Sequence, residues 1–334
     1  MERSLVSVVA PVFNEIDVLD AFHSRTSAAM RAIEGIDYEI VLVDDGSSDG
    51  SWEHMTALAA NDDALVLVRL TRNFGHQIAI TAGVDVAQGD AVVVIDADLQ
   101  DPPEAIALMV ERWREGYDVV YGIRVAREGE TRAKLWTARI FYRILRRFTN
   151  IDIPVDVGDF RLLSLRAADQ LRELREKDRF VRGLVSWMGY NQIGVEYERE
   201  ERFAGETKYP LRKMIKFALD GITSFSSLPL KFASWLGYVA SALAFVYMIS
   251  VFVQKWMGYT IEGWATIMVA MLFVGGVQLI CLGIMGEYIG RIFNEIKPRP
   301  IYVLQEVRKG GPLGQRGTPE SRVGIEPATS PRGT

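Results

Sequence analysis

The sequence predicts an α/β domain built on a doubly wound sheet, followed by a two-helix membrane hairpin. Three observations predict it. Short β-branched runs recur through the N-terminal third, helical stretches lie between them, and two long uncharged apolar runs stand near the C-terminus. At roughly 100–200 residues per domain, 334 residues admit two domains, or one large domain with an appendage. A composition that is 49% hydrophobic and 24% charged excludes wholesale disorder. The balance of 38 Lys and Arg against 43 Asp and Glu leaves a net charge of −5, so no global basic excess points to nucleic acid. Cys281 is the sole cysteine, which excludes a disulfide scaffold and a Cys-based zinc cluster. His23, His54 and His76 are scattered and fit no HExxH site.

The strand candidates are Leu5–Ala10, Glu39–Val43, Leu65–Arg69, Ala91–Ile95 and Val119–Tyr121. Each is a near-continuous apolar run, the pattern of strands covered on both faces of a parallel sheet. Helical stretches fall at about 16–34, 50–60, 76–88 and 102–115, and Pro102 and Pro103 suit the first turn of the last. Open α/β sheets bind ligands beyond the carboxyl ends of their strands, so the polar residues there carry the functional argument.

Those ends read Pro11-Val-Phe-Asn-Glu15, Asp44-Asp-Gly-Ser-Ser-Asp-Gly50 and Asp96-Ala-Asp-Leu-Gln-Asp-Pro-Pro-Glu104. No GxGxxG or Walker A motif stands at these turns, so glycine-cradled dinucleotide and P-loop chemistry are not expected. Carboxylates at an anion-binding position make sense when a divalent cation bridges to phosphate, and Mg²⁺ and Mn²⁺ take oxygen ligands in that way. Asp96 and Asp98, two residues apart as the strand ends, point to the same cleft. Turn and cap chemistry alone also accounts for Asp44, Asp45 and Asp49.

In combination and in this order, PxxNE, DDGSxD and DADLQDPPE resemble the glycosyltransferase family 2 nucleotide-sugar domain, the GT-A fold. The resemblance covers about residues 1–230 and continues into the hairpin, where it is to polyisoprenyl-phosphate glycosyltransferases: bactoprenol (undecaprenyl-phosphate) glucosyltransferases and, more distantly, dolichol-phosphate mannose synthases. It implies that Pro11, Phe13, Glu15, Asp44 and Asp45 hold the nucleoside. Asp96 and Asp98 become the Asp-x-Asp metal motif for Mg²⁺ or Mn²⁺, with Gln100 and Asp101 lining the same cleft. Asp159, within Gly158-Asp-Phe-Arg161, becomes the carboxylate near the reacting centre, as base or as orienting group. Arg199, Arg202 and Lys208 become the basic segment for the acceptor phosphate. The implied reaction moves a hexose from a nucleotide sugar to polyisoprenyl phosphate with inversion. Glucose from UDP-glucose is preferred, and transfer from GDP-mannose or a non-catalytic nucleotide-binding role are the alternatives. A processive polysaccharide synthase would carry a QxxRW motif, which is absent here.

Residues 232–253 and 263–286 carry no charge, and about 20 apolar residues span a bilayer core. Lys208, Arg212, Lys213, Lys216 and Lys231 precede the first run, and Arg291, Lys297, Arg299 and Arg308 follow the second. Only Lys255 lies between, so the positive-inside rule predicts cytoplasmic ends and a cytoplasmic catalytic domain, as in a bacterial inner-membrane protein. The apolar run Leu5–Phe13 is broken by Asn14 and lacks the basic leader of a signal peptide. The expected organisation is a catalytic domain over 1–210, interfacial helices over 211–231, two spans over 232–290, a cytoplasmic segment over 291–308 with a strand at 301–307, and a disordered tail over 309–334. The strand's exposed edge suits a homo-oligomer. Arg124–Arg147 holds eight basic and two acidic residues, the composition of a helix lying on anionic lipid.

Overall fold

A computed structural model describes residues 3–125, 157–177, 179–199, 228–258 and 263–311. They form two compact units, the second containing the apolar hairpin. Among the described residues, the first is built on one mixed sheet of eight strands. Strands β1 (Ser4–Val12), β2 (Ile36–Asp44), β3 (Leu65–Leu70) and β4 (Ala91–Val94) pair in parallel, as their continuous apolar runs require. Val6, Val8, Ala10 and Val12 of β1 enter one core with Leu19 and Phe22 of α1 (Leu19–Arg31) and with Ile106 and Met109 of α4 (Ile106–Arg114). Burying each such large side chain contributes about 1.5–3 kcal/mol. On the opposite face lies α3 (His76–Val86), whose Gly83 sits so close that a Cβ there would meet Val9 Cγ1 at 2.2 Å. Helix α2 (Ser51–Ala59) covers β3.

The sheet extends beyond the parallel strands. Strand β5 (Val119–Arg124) pairs antiparallel with β6 (Val157–Ser164), and β6 pairs antiparallel with β4. Strand β7 (Gln192–Tyr197) adds to β5 in parallel. Helices α5 (Leu165–Glu173) and α6 (Val181–Trp187) connect β6 to β7. Neither β6 nor β7 was expected as a strand. The C-terminal strand β8 (Leu304–Lys309) begins three residues later than expected and lies antiparallel on β3, with Val68 opposite Val307. One edge of that strand is therefore paired within its own chain. Tyr302 anchors the approach by donating to the buried Asp85 at 2.7 Å, while Arg175 pairs with the same carboxylate at 2.6 Å.

In the second unit, α7 (Leu228–Trp256) and α8 (Trp264–Glu295) form a hairpin, with Cys281 Sγ 3.4 Å from the Ala233 carbonyl oxygen. Pro229–Trp256 and Val269–Glu295 each contain an 18-residue stretch, of mean hydropathy 2.1 and 2.2, and neither stretch is buried in protein. At 1.5 Å per residue the 32 residues of α8 extend about 48 Å, more than a hydrocarbon core of about 30 Å. Trp235, Leu243, Phe252, Leu272 and Leu279 are exposed. An exposed apolar surface of this extent is consistent with association with a membrane.

Candidate active site

The carboxyl ends of β1 and β2 are knitted together. Asn14, in left-handed backbone at φ 56°, accepts the Ser48 N–H at 2.8 Å and donates its own N–H to Ser47 Oγ at 3.0 Å. Asp49 accepts from the Ser51 hydroxyl at 2.6 Å and from the Ile16 N–H at 3.1 Å. Burial raises its carboxyl, but the hydrogen bonds from Ser51 outweigh this and hold it below the usual range. Asp44 is fully buried: Oδ1 accepts the Ser47 N–H at 2.9 Å, and Oδ2 lies 3.5 Å from Arg69 Nε. Arg69 in turn stacks on Trp52 at 5.0 Å. Asp45 accepts the N–H groups of Phe74 and Gly75 at 2.7 and 2.9 Å, and burial still pushes its carboxyl up. Gly46, the next residue, has φ 74°, and a Cβ there would lie 2.6 Å from the backbone of Arg72 and Asn73. Pro11 lies past the last β1 residue paired with β4, where a missing N–H costs no ladder bond. Phe13 is half exposed beside it, and Glu15 donates its N–H to Ser51 Oγ at 3.2 Å.

At the end of β4 the chain turns sharply, with Leu99 at φ 58°. A buried branched side chain in that region costs of order 1–2 kcal/mol and marks an over-determined loop. Asp98 Oδ1 accepts the Gln100 N–H at 3.1 Å. Asp96 Oδ1 is buried without a hydrogen bond, 3.4 Å from His76 Nε2. Burial pushes the Asp96 carboxyl up to about 6, with His76 opposing the shift and Asp159, Asp101 and Asp98 adding to it. Among the described residues no group of three or more His, Cys, Asp or Glu is disposed to hold a metal by itself. The donors present nonetheless suit a hard divalent ion: two carboxylates, one with an orphaned buried oxygen, with remaining ligands left to phosphate. Asp101 faces away from that role. It is buried and accepts from Tyr197 at 2.5 Å and from Arg124 at 3.3 Å, with Arg199 at 3.8 Å. Arg199 also donates to Gln100, so the structure places this expected acceptor-side cation on the Asp-x-Asp loop.

Asp159 lies on β6, almost fully buried, inside a cage of donors. Arg182 of α6 forks onto it, Nε to Oδ1 at 2.8 Å and Nη2 to Oδ2 at 3.0 Å. Gln77 donates to Oδ2 at 3.1 Å, and His76 Nε2 stands 3.3 Å from the same oxygen. Burial raises the Asp159 carboxyl, yet His76, Arg182 and Arg161 together hold it well below the usual range. Burial lowers His76, but the hydrogen bond to Asp159 and the charges of Asp96 and Asp159 outweigh it and raise its pKa. Arg161 does not pair with the Asp159 carboxylate; it donates to the carbonyl oxygens of Asp159 and Gly158 at 3.3 and 3.0 Å, and burial lowers it to about 10. Arg202, Lys208 and the interfacial stretch 211–227 lie outside the described residues, as does most of the basic segment 124–147.

Sequence reasoning missed His76, Gln77, Arg182 and Tyr197. His76 and Gln77 open α3 right after the carboxyl end of β3, a place where a strand-end search finds them. Arg182 and Tyr197 carry no spacing signal, because only the fold brings them to Asp159 and Asp101.

A mixed α/β sheet with carboxylates clustered at its strand ends is the frame of this site, and the chain belongs to glycosyl transferase family 2, whose model matches residues 7–172. Residues 228–292 match the GtrB C-terminal hairpin. The chain is 50% identical over 301 residues to "Uncharacterized glycosyltransferase YkcC" of Bacillus subtilis (strain 168), covering 90% of this chain and 93% of the relative. It is 39% identical over 308 residues to "Bactoprenol glucosyl transferase" of Shigella phage SfII, covering 92% and 99%. A solved structure of glucosyl-3-phosphoglycerate synthase from Mycobacterium tuberculosis, in complex with Mn²⁺ and UDP-glucose, is 20% identical with a TM-score of 0.45, covering 65% of this chain and 76% of that one.

Proposed function

We propose that this glycosyltransferase moves glucose from UDP-glucose to undecaprenyl phosphate at the cytoplasmic face of a membrane, inverting C1 and releasing UDP. The near-complete match to a bactoprenol glucosyl transferase, hairpin included, supports the acceptor class. The observation that carries the chemistry is the cage around Asp159. A carboxylate that already accepts from Arg182, Gln77 and His76, and is held well below its usual range, is a poor proton acceptor. The nucleophile should therefore be one that needs no base. A lipid monophosphate, with a second pKa of about 6, is largely dianionic at neutral pH.

In this reading the phosphate oxygen attacks C1 as the bond from C1 to the diphosphate oxygen breaks, and no proton changes hands. Pro11, Phe13, Glu15, Asp44 and Asp45 form the nucleoside end of the site. Asp96 and Asp98 would hold Mg²⁺ or Mn²⁺, which when bound offsets the charge growing on the leaving diphosphate. Gln100 fixes Arg199, which with Arg202 and Lys208 supplies cations for the acceptor phosphate. Asp159 orients the reacting centre electrostatically. The hairpin keeps the polyprenyl chain in lipid while its phosphate meets a water-soluble donor. The same hairpin and β8 offer surfaces for a homo-oligomer.

The test is transfer of radiolabelled glucose into solvent-extractable lipid by the purified protein. Wild type should label undecaprenyl phosphate in a cation-dependent way, and Asp98→Ala should not. Labelling that survives Asp98→Ala refutes the assignment, and labelling from GDP-mannose alone replaces the donor.

A further inference from the structure

The short turn from Phe74 to Gln77 touches three carboxylates that lie far apart in the chain. At one end, the N–H groups of Phe74 and Gly75 donate to Asp45 at 2.7 and 2.9 Å. In the middle, His76 Nε2 stands between Asp96 and Asp159, 3.4 and 3.3 Å away. At the other end, Gln77 faces two ways. Its amide N–H donates to Asp159 at 3.1 Å, while its Oε1 accepts the N–H of Val181, the first residue of α6, at 3.0 Å. The next residue on α6, Arg182, completes the fork onto Asp159 and also donates to the Val157 carbonyl oxygen at 3.1 Å.

The turn has little freedom to adjust. Gly75 has φ 101° and ψ 152°, a conformation essentially confined to glycine, and open space around it shows that the backbone angle rather than room requires the glycine. Thr81 ties the far side by donating to the Gln77 carbonyl oxygen at 2.8 Å. Asp45 thus holds one end of the turn, and Gln77 at the other end reaches both Asp159 and the start of α6. We propose that Gln77 and Arg182 are positioning residues: they hold the acceptor-side carboxylate in register with the donor pocket, so that a nucleotide settling against Asp45 orders α6 and fixes Asp159 through the Phe74–Gln77 turn. The assignment of donor and acceptor sides rests on the reading above; the mechanical link rests on the hydrogen bonds. Such a coupling is reciprocal, so an ordered α6 favours the nucleotide in return.

Hydrogen exchange on the full-length protein in lipid nanodiscs tests the link without reference to turnover. UDP or GDP with Mn²⁺ should slow exchange in residues 74–77 and also in 180–187 of wild type. In Gln77→Ala the nucleotide should still slow the turn, but protection of 180–187 should vanish. In glucosyl transfer, Arg182→Gln should lower kcat by roughly tenfold to a hundredfold, the scale for losing hydrogen bonds to a charged group. Donor KM should stay within about threefold of wild type, and Arg182→Lys should recover part of kcat. Nucleotide that leaves 180–187 unaffected in wild type, or that protects it equally in Gln77→Ala, overturns the proposal. So does a parallel loss of donor binding, thermal stability and kcat in both Arg182 variants, which marks a scaffold role only. A wild type that shows the exchange pattern but transfers no sugar sinks the proposed reaction and leaves the coupling standing.

Discussion

Replacing Asp159 with Asn isolates the cage from the rest of the site. The amide keeps the shape and removes the charge. With its nitrogen at the Oδ2 position it would face Arg182 Nη2, Gln77 and His76 at once; at the Oδ1 position it faces Arg182 Nε alone. The second orientation should therefore win, at the cost of one charge-assisted bond and an Arg182 without its counter-charge. Breaking a fully buried pair costs about 3–5 kcal/mol; Asp159 is 5% exposed but Arg182 28%, which brings the expectation down to about 2–3 kcal/mol. For a domain of this size that is a fall of about 5–10 °C in Tm. The pH dependence has a definite sign. Because the folded-state pKa of Asp159 is depressed, its stabilisation is present above the ordinary Asp value of about 3.9 and is lost as pH falls through the lower folded value. Thermal unfolding followed by tryptophan fluorescence should show a gap between wild type and Asp159→Asn that is widest at about pH 5–6, where His76, whose raised pKa depends on Asp159, is charged, and that closes below about 4. A gap near zero at about pH 5–6, or one that goes on widening below about 4, refutes the caged carboxylate.

Asp96 titrates in the opposite sense. Its pKa is raised to about 6, so the stability linked to its proton is present below the ordinary carboxylate range and is lost as pH rises through about 6. A cation binds the ionised form, so Mn²⁺ affinity measured by calorimetry should fall about tenfold per pH unit below that value, and a flat affinity down to pH 5 contradicts it. Gly46→Ala forces a Cβ to within 2.6 Å of the Arg72–Asn73 backbone at a positive φ. We expect a loss of at least about 1–2 kcal/mol and weaker nucleotide binding, since Asp45 and the Phe74 turn must part; unchanged UDP affinity contradicts this. Tyr302→Phe removes the hydrogen bond to Asp85 while Arg175 keeps that carboxylate paired, so a denaturation midpoint should report about 1 kcal/mol. An unshifted midpoint means that the approach to β8 is not anchored there.

Much of the architecture is legible in the residues. Strands β1 to β4 announce themselves because both of their faces are covered, so each carries a near-continuous apolar run. Strand β6 hides for the opposite reason: VGDFRLLS carries Asp159 and Arg161 in its interior, and a charged pair in a short run reads as loop. Strand β7 has a glycine at position 194 where β5 presses close, with Ile123 Cδ1 2.4 Å from where a Cβ would sit, which erases its alternation. The bounds of β8 are set by its pairing with β3, a long-range partner invisible to local pattern. The same division holds for the site. Asp44, Asp45, Asp96 and Asp98 stand in one-dimensional motifs, whereas the cage around Asp159 unites residues 76, 77 and 182 across the chain. Helix α1 begins at Leu19 rather than near 16, because Asn14 to Val18 are occupied in the turn that Asp49 and Ser51 cap.

The most direct measurement of the account is the mass of the lipid product. Purified full-length protein would be given undecaprenyl phosphate with UDP-glucose, UDP-galactose, UDP-N-acetylglucosamine or GDP-mannose in turn, each with and without Mn²⁺. The account predicts one added hexose on the lipid phosphate, from UDP-glucose, only with the cation, and absent in Asp98→Ala. A lipid whose mass never changes with any donor, while nucleotide still binds, contradicts it.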